Sequence, residues 1–149
     1  MKIMVSACLL GINCKYNGGS NRNDELIRRL ANHTVIPVCP ETEGGLSVPR
    51  IPAEIVGGVV MNREGKNVNA EFVLGAEKAL QMALREKPDL IILQSRSPSC
   101  GVKEVYDGSF SGKLIPGKGL FAKTAGEHGF CVTDVEDYLG SGGEQWRKF

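Results

Sequence analysis

The chain has 149 residues, 42% of them apolar, and a formal net charge of +1. That is enough for one domain with a real core and short for two, and it excludes a disordered chain. With no strongly basic patch and only 6% aromatic residues, nothing demands a nucleic-acid partner, and no apolar stretch is long enough to span a bilayer.

In chain order, Lys2 to Ser6 reads as a first strand and Asn13 to Asn23 as a polar, Gly-rich loop. Asp24 to Ala31 has helical spacing, with Leu26, Ile27 and Leu30 on one face and Asn23 as its N-cap. Thr34 to Val38 is a second strand. Prolines at 37, 40, 49 and 52 make Cys39 to Ile55 an irregular excursion. Val56 to Met61 suggests a small hairpin turning at Asn62-Arg63-Glu64-Gly65. Ala70 to Arg85 is the strongest helix, with Phe72, Ala76, Ala79, Leu80, Ala83 and Leu84 on one stripe and Asn69 as a cap.

Leu90 to Leu93 is a third strand, and the most apolar. Strand, helix and strand in this order predict a right-handed crossover and parallel pairing. A long loop from Ser95 to Pro116 follows, then a helix from about Lys118 to Glu127, then a fourth strand at Phe130 to Thr133. The expectation is an α/β fold: a single domain over residues 1–139, with a short, mostly parallel, Rossmann-like sheet flanked by helices. Residues 140–149 read as a flexible tail.

Three of the five cysteines share one topological location. Cys8, Cys39 and Cys100 each lie beyond an apolar strand, in loops rich in Gly, Pro or Ser. Loops at the carboxyl ends of parallel strands open on one crevice. These three thiols are therefore candidates for a shared site. Cys14 is within reach of the same crevice, as a fourth ligand or a neighbouring thiol. Cys131 sits in a predicted strand between Phe130 and Val132 and reads as a core residue.

An odd cysteine number and no secretory leader point to a reduced, cytoplasmic protein. Val5-Ser6-Ala7-Cys8 looks like a lipoprotein cleavage box, but the apolar run before it is too short. Three thiolates suit either a zinc ion with one open position or an iron–sulfur cluster with one uncoordinated iron. Thiolate-only ligation favours the cluster, because His33 and His128 lie at helix ends remote from the motifs. Gly117-Lys118-Gly119-Leu120-Phe121-Ala122 fits G-x-G-x-x-A, but no clear strand precedes it, so it reads as a Gly-rich helix start.

Four ordered motifs carry a resemblance. They are Ser6-Ala7-Cys8-Leu9-Leu10-Gly11 with Cys14-Lys15-Tyr16-Asn17-Gly18; Pro37-Val38-Cys39-Pro40-Glu41; Gly44-Gly45-Leu46 with Pro49-Arg50; and Ser97-Pro98-Ser99-Cys100-Gly101. Together they resemble the thiouracil desulfidase (TudS) family, from about Ile3 to Val132. The resemblance implies a [4Fe-4S] cluster bound by Cys8, Cys39 and Cys100. It implies capture of a thiocarbonyl sulfur by the open iron, with release of hydrogen sulfide and a carbonyl product. Glu41 and Ser99 match its catalytic positions, and the partner it implies is a small thiolated molecule.

Two positions depart from the family pattern: Asn17, where Asp is frequent, and Gln94, where Lys is common. Glu41 suits a general base and Ser99 a proton relay or substrate anchor, with Glu43 as the substitute acid. Arg50 and Arg96 suit charge compensation or substrate binding, and Ser6 and Ser97 suit hydrogen bonds to the ligand sulfurs. The rival readings are a zinc hydrolase using the same cysteines and a non-catalytic sulfur or cluster carrier.

Overall fold

The computed structural model describes residues 1–140. Four parallel strands form the central sheet: β1 (Lys2–Ser6), β2 (Thr34–Val38), β5 (Leu90–Leu93) and β8 (Val132–Asp134), in the order β2-β1-β5-β8. Ile3 pairs with both Val35 and Leu90, and Ile91 pairs with Val132. The chain moves outward from β1 to β2, then returns to the far side of β1 for β5. The crevice between β1 and β5 is thus a topological switch point, where the following loops part in opposite directions.

Strand alternation divides the core into two layers. Met4, Ile91 and Leu93 face α3 (Asn69–Glu86) and α4 (Leu120–Glu127), packing on Ala76, Ala79, Ala83 and Phe121. Ile3, Val5, Leu90 and Ile92 face α1 (Asp24–Arg29) and α5 (Val135–Gly140), against Leu26, Leu30 and Tyr138. The expected α/β architecture is therefore present. Asn23 caps α1 as expected, its side chain accepting from the Leu26 amide at 3.0 Å.

Several local expectations are corrected. The excursion after Cys39 contains a short helix, α2 (Pro40–Glu43), with Pro40 at its first turn, and then β3 (Ala53–Val56). Strand β3 pairs antiparallel with β4 (Val59–Asn62) and turns at Gly57-Gly58. The turn at Asn62–Gly65 is real but follows β4, leading back toward Asn67. Asn69 is the first residue of α3 rather than its cap, and its side chain accepts from the Val60 amide. Leu84 is exposed, off the buried stripe.

The long loop before Pro116 contains a hairpin, β6 (Glu104–Tyr106) with β7 (Leu114–Pro116). Cys131 precedes β8 rather than lying in it, but it does pack against the α1 side of the core. The expected flexible tail lies outside the described residues, apart from Gly140, which ends α5.

Helix α2 reaches its place because α3 offers no side chain there. A Cβ on Gly75 would stand 1.8 Å from the Pro40 carbonyl oxygen, and one on Gly44 would stand 1.9 Å from that of Glu71. Backbone meets backbone, which fixes Cys39 and Glu41 relative to the sheet. Gly75→Ala must push the helices apart, so it costs about 1–3 kcal/mol and lowers the melting temperature by several degrees. Gly126→Ala, where a Cβ meets open space, melts no lower than the parent. Equal melting of the two variants in a thermal scan would contradict this packing.

Candidate metal centre and active site

Cys8 lies in a single 3-10 turn, Ala7–Leu10, directly after β1, and Cys39 is the N-cap of α2, directly after β2. Cys100 follows β5 through the Ser97–Ser99 turn, where its amide donates to the Ser97 hydroxyl at 2.7 Å. That turn is gripped by the start of α4. The amides of Leu120 and Phe121 donate to the carbonyls of Pro98 and Ser99, and that of Gly119 donates to the Gly101 carbonyl. A Cβ on Gly119 would lie 2.5 Å from the Ser99 carbonyl carbon. The G-x-G-x-x-A segment thus serves close packing of a cysteine loop, not a dinucleotide.

All three cysteines and Cys14 line one cavity of about 860 Å³, and none of the cysteines is in a disulfide. Cys14 lies close enough to Cys8 and Cys39 for its single thiol hydrogen to serve either sulfur. Its proton is held far above the usual thiol range, first by the bond to Cys39 and then by that to Cys8. The same bonds stabilise the partner thiolates. Cys39 is lowered to about 6, chiefly by Cys14 and then, against the cost of burial, by the hydroxyl and amide of Thr42. Cys8 is lowered by Cys14 against burial, with help from the Asn21 side chain, whose nitrogen is 3.5 Å from its sulfur. Cys100 is pushed up to about 12 by burial, against a hydrogen bond from Ser6.

Glu41 and Ser99 meet across the cavity. The Ser99 hydroxyl donates to Glu41 Oε2 at 2.7 Å and lies 3.3 Å from the Ser97 hydroxyl. Arg50 donates to Glu41 Oε1 through Nε and a terminal nitrogen, at 3.2 and 3.0 Å. The same guanidinium donates to the carbonyls of Cys14 and Ser47. Both members of the pair are mostly buried, at 10% and 16% side-chain exposure, so loss of one leaves the other poorly solvated.

The remaining candidates separate. Glu43 lines a different hollow on the outer side of α3. Arg96 lines the cavity while pairing with Glu104 and Glu136, each at 3.4 Å. Ser6 accepts from the Gln94 amide as well as bonding to Cys100, and Ser97 caps the Cys100 amide. Asn17 accepts from the Gly19 amide in a local turn. His33 and His128 stay at helix ends, His33 against the N-terminal amine and His128 against the Thr124 carbonyl. Sequence reasoning missed Asn21 and Thr42, whose bonds to sulfur depend on loop packing that no spacing announces.

A family model for 2-thiouracil desulfurase matches residues 3–137. The chain belongs to the 2-thiouracil desulfurase family. A relative from Bacillus subtilis (strain 168), the uncharacterised protein YbbK, is 40% identical over 151 residues, spanning 92% of this chain and 99% of its own. A solved structure described as a [4Fe-4S]-dependent thiouracil desulfidase, TudS, superimposes with a TM-score of 0.86 at 39% identity, covering 94% of this chain and 93% of that one. The resemblance carried by the cysteine motifs is thus borne out at the level of family and fold. Among the described residues of this desulfurase-family chain, no helix is long and apolar enough to cross a membrane.

In metal-free, reduced protein, iodoacetamide modifies Cys39 ahead of Cys100. A lowered thiol is thiolate above its pKa and loses reactivity as the pH falls through it, so the Cys39 rate halves near pH 6. Cys14→Ala removes the first cause and moves that midpoint upward. Mass-mapped alkylation across the pH range checks this. An unshifted Cys39 titration in the parent protein would contradict the thiol arrangement.

Proposed function

We propose that the chain is a desulfidase acting on a thiolated pyrimidine base or related thiocarbonyl compound, using a [4Fe-4S] cluster bound by Cys8, Cys39 and Cys100. The observation that carries this reading is the cavity. Thiols from three strand ends share it with a Ser99–Glu41–Arg50 chain, in a member of the 2-thiouracil desulfurase family.

The donor chemistry suits such a group. The sulfurs are soft, two are biased toward thiolate, and no imidazole lines the cavity. Among the described residues, no three His, Cys, Asp or Glu side chains are arranged to hold a single metal ion. An all-thiol donor set without imidazole favours an iron–sulfur group over hydrolytic zinc. Asn21, Thr42 and Ser6 supply the hydrogen bonds that tune bound sulfur. When bound through three cysteines, the cluster supplies one iron free of protein ligands, a soft Lewis acid for the thiocarbonyl sulfur.

The chain's own residues supply the proton chemistry. Glu41 takes the proton of a water directed at the thiocarbonyl carbon. Ser99, whose hydrogen is committed to Glu41, relays that proton. Arg50 holds the Glu41 carboxylate in place and ties it to the Cys14 loop. One water enters, and hydrogen sulfide and the carbonyl product leave. No electrons are transferred, so no redox partner is needed.

Anaerobically prepared protein is expected to convert 2-thiouracil to uracil with one sulfide released per turnover. Glu41→Gln retains the iron and loses turnover by at least about 100-fold. Unchanged turnover would remove Glu41 as the base, and an iron-loaded protein releasing no sulfide would be a carrier instead.

Cys8→Ala, Cys39→Ala and Cys100→Ala each lose iron, while Cys14→Ala and Cys131→Ala keep it. Metal analysis of each variant checks the ligand set. Loss in Cys14→Ala as complete as in the other three would contradict an open iron.

A further inference from the structure

The cavity lining also includes aromatic side chains that the proton chemistry does not use. Of the seven aromatic side chains among the described residues, four line it: Tyr16, Phe72, Tyr106 and Phe110. Phe72 is buried in the core beneath, while Tyr16, Tyr106 and Phe110 keep exposed surface that a flat ring can meet. Base-on-aromatic stacking is favourable whatever groups the ring carries at its edge.

Phe110 is the unusual member. It lies in the loop between β6 and β7 with a φ of +57°, a conformation costly for a bulky residue. One side chain holds it there. Glu54, on β3 and only 9% exposed, accepts from the Gly108 amide at 3.0 Å and the Phe110 amide at 3.1 Å through the same oxygen, Oε1. The loop lies flush on β3, since a Cβ on Gly108 would stand 2.7 Å from the Ile55 carbonyl oxygen. An Asp107 turn bonds Ser109 through both amide and hydroxyl and stiffens the loop from within. A buried carboxylate is thus spent on two loop amides to keep a strained phenylalanine in the wall of the cavity.

We propose that Phe110 is a specificity residue that stacks on the heterocyclic ring of the substrate, and that Glu54 is its positioning residue. This rests on the reading of the cavity as a thiocarbonyl site and assigns it the ring-binding face. The substrate class it selects is a planar six-membered heteroaromatic thiocarbonyl, rather than an open-chain thioamide or thiourea.

The test uses equilibrium dialysis of 2-thiouracil and of thiourea against parent and variant proteins, alongside steady-state kinetics on the iron-loaded enzyme. Phe110→Ala is expected to weaken 2-thiouracil binding by roughly 5- to 150-fold. It should raise KM with kcat within about two-fold. Phe110→Gly relieves the positive φ, so it should lose binding by the same factor while melting no lower than the parent. Phe110→Tyr restores binding.

Glu54→Ala should raise KM about ten-fold in the parent and not at all in the Phe110→Ala background, while Glu54→Gln, which keeps an accepting oxygen, stays near the parent. Unchanged 2-thiouracil affinity in Phe110→Ala, additive Glu54 and Phe110 effects, or equal affinity for thiourea overturns the assignment while leaving parent turnover intact. A parent that neither binds nor turns over 2-thiouracil overturns the assignment together with the desulfidase reading.

Discussion

The order of four parallel strands is the constraint on which the site depends. With β1 central and β2 and β5 on either side, the loops after all three strands open at one edge. Cys8, Cys39 and Cys100, up to 92 residues apart in sequence, line one cavity because their strands are neighbours, not because their loops are alike. The apolar runs of β1 and β5, fully buried in both layers, anchor that order. The chemistry at the edge inherits their rigidity.

A second level of construction holds the loops themselves. Two of the cysteine loops, those of Cys39 and Cys100, are fastened by backbone contacts that leave no room for a Cβ. Helix α2 lies against α3 through Gly44 and Gly75, and the Cys100 turn is clasped by the first amides of α4. Arg50 then joins two loops through Glu41 and the Cys14 carbonyl. Thiols, a carboxylate and a guanidinium crowd together only because each is hydrogen-bonded. The bonds that settle one group set the protonation of the next, as Cys14 does for Cys39 and Cys8.

Much of this was legible in the sequence, for physical reasons. Buried parallel strands are continuous apolar runs, so Leu90–Leu93 and Ile3–Val5 announced themselves, and Asn23 announced a helix start. Cysteines just past such runs gave the shared edge. Elements of three or four residues were not legible: β6 and β7 are too short for a period, and Pro116 disguises the second. Pro40 is a helix-start signal that reads as a breaker when prolines cluster. Gly57-Gly58 was the stronger hairpin signal, eclipsed by the equally real turn at Asn62–Gly65. The Glu54 clamp left no local trace at all, because its partners, Gly108 and Phe110, are more than 50 residues away.

Iron and acid-labile sulfide analysis of the anaerobically purified chain tests the central claim most directly. If the three sulfurs at the sheet edge bind a cubane cluster, the protein is brown and carries about four irons and four labile sulfides per chain. A colourless protein with one zinc per chain and no labile sulfide would contradict the account.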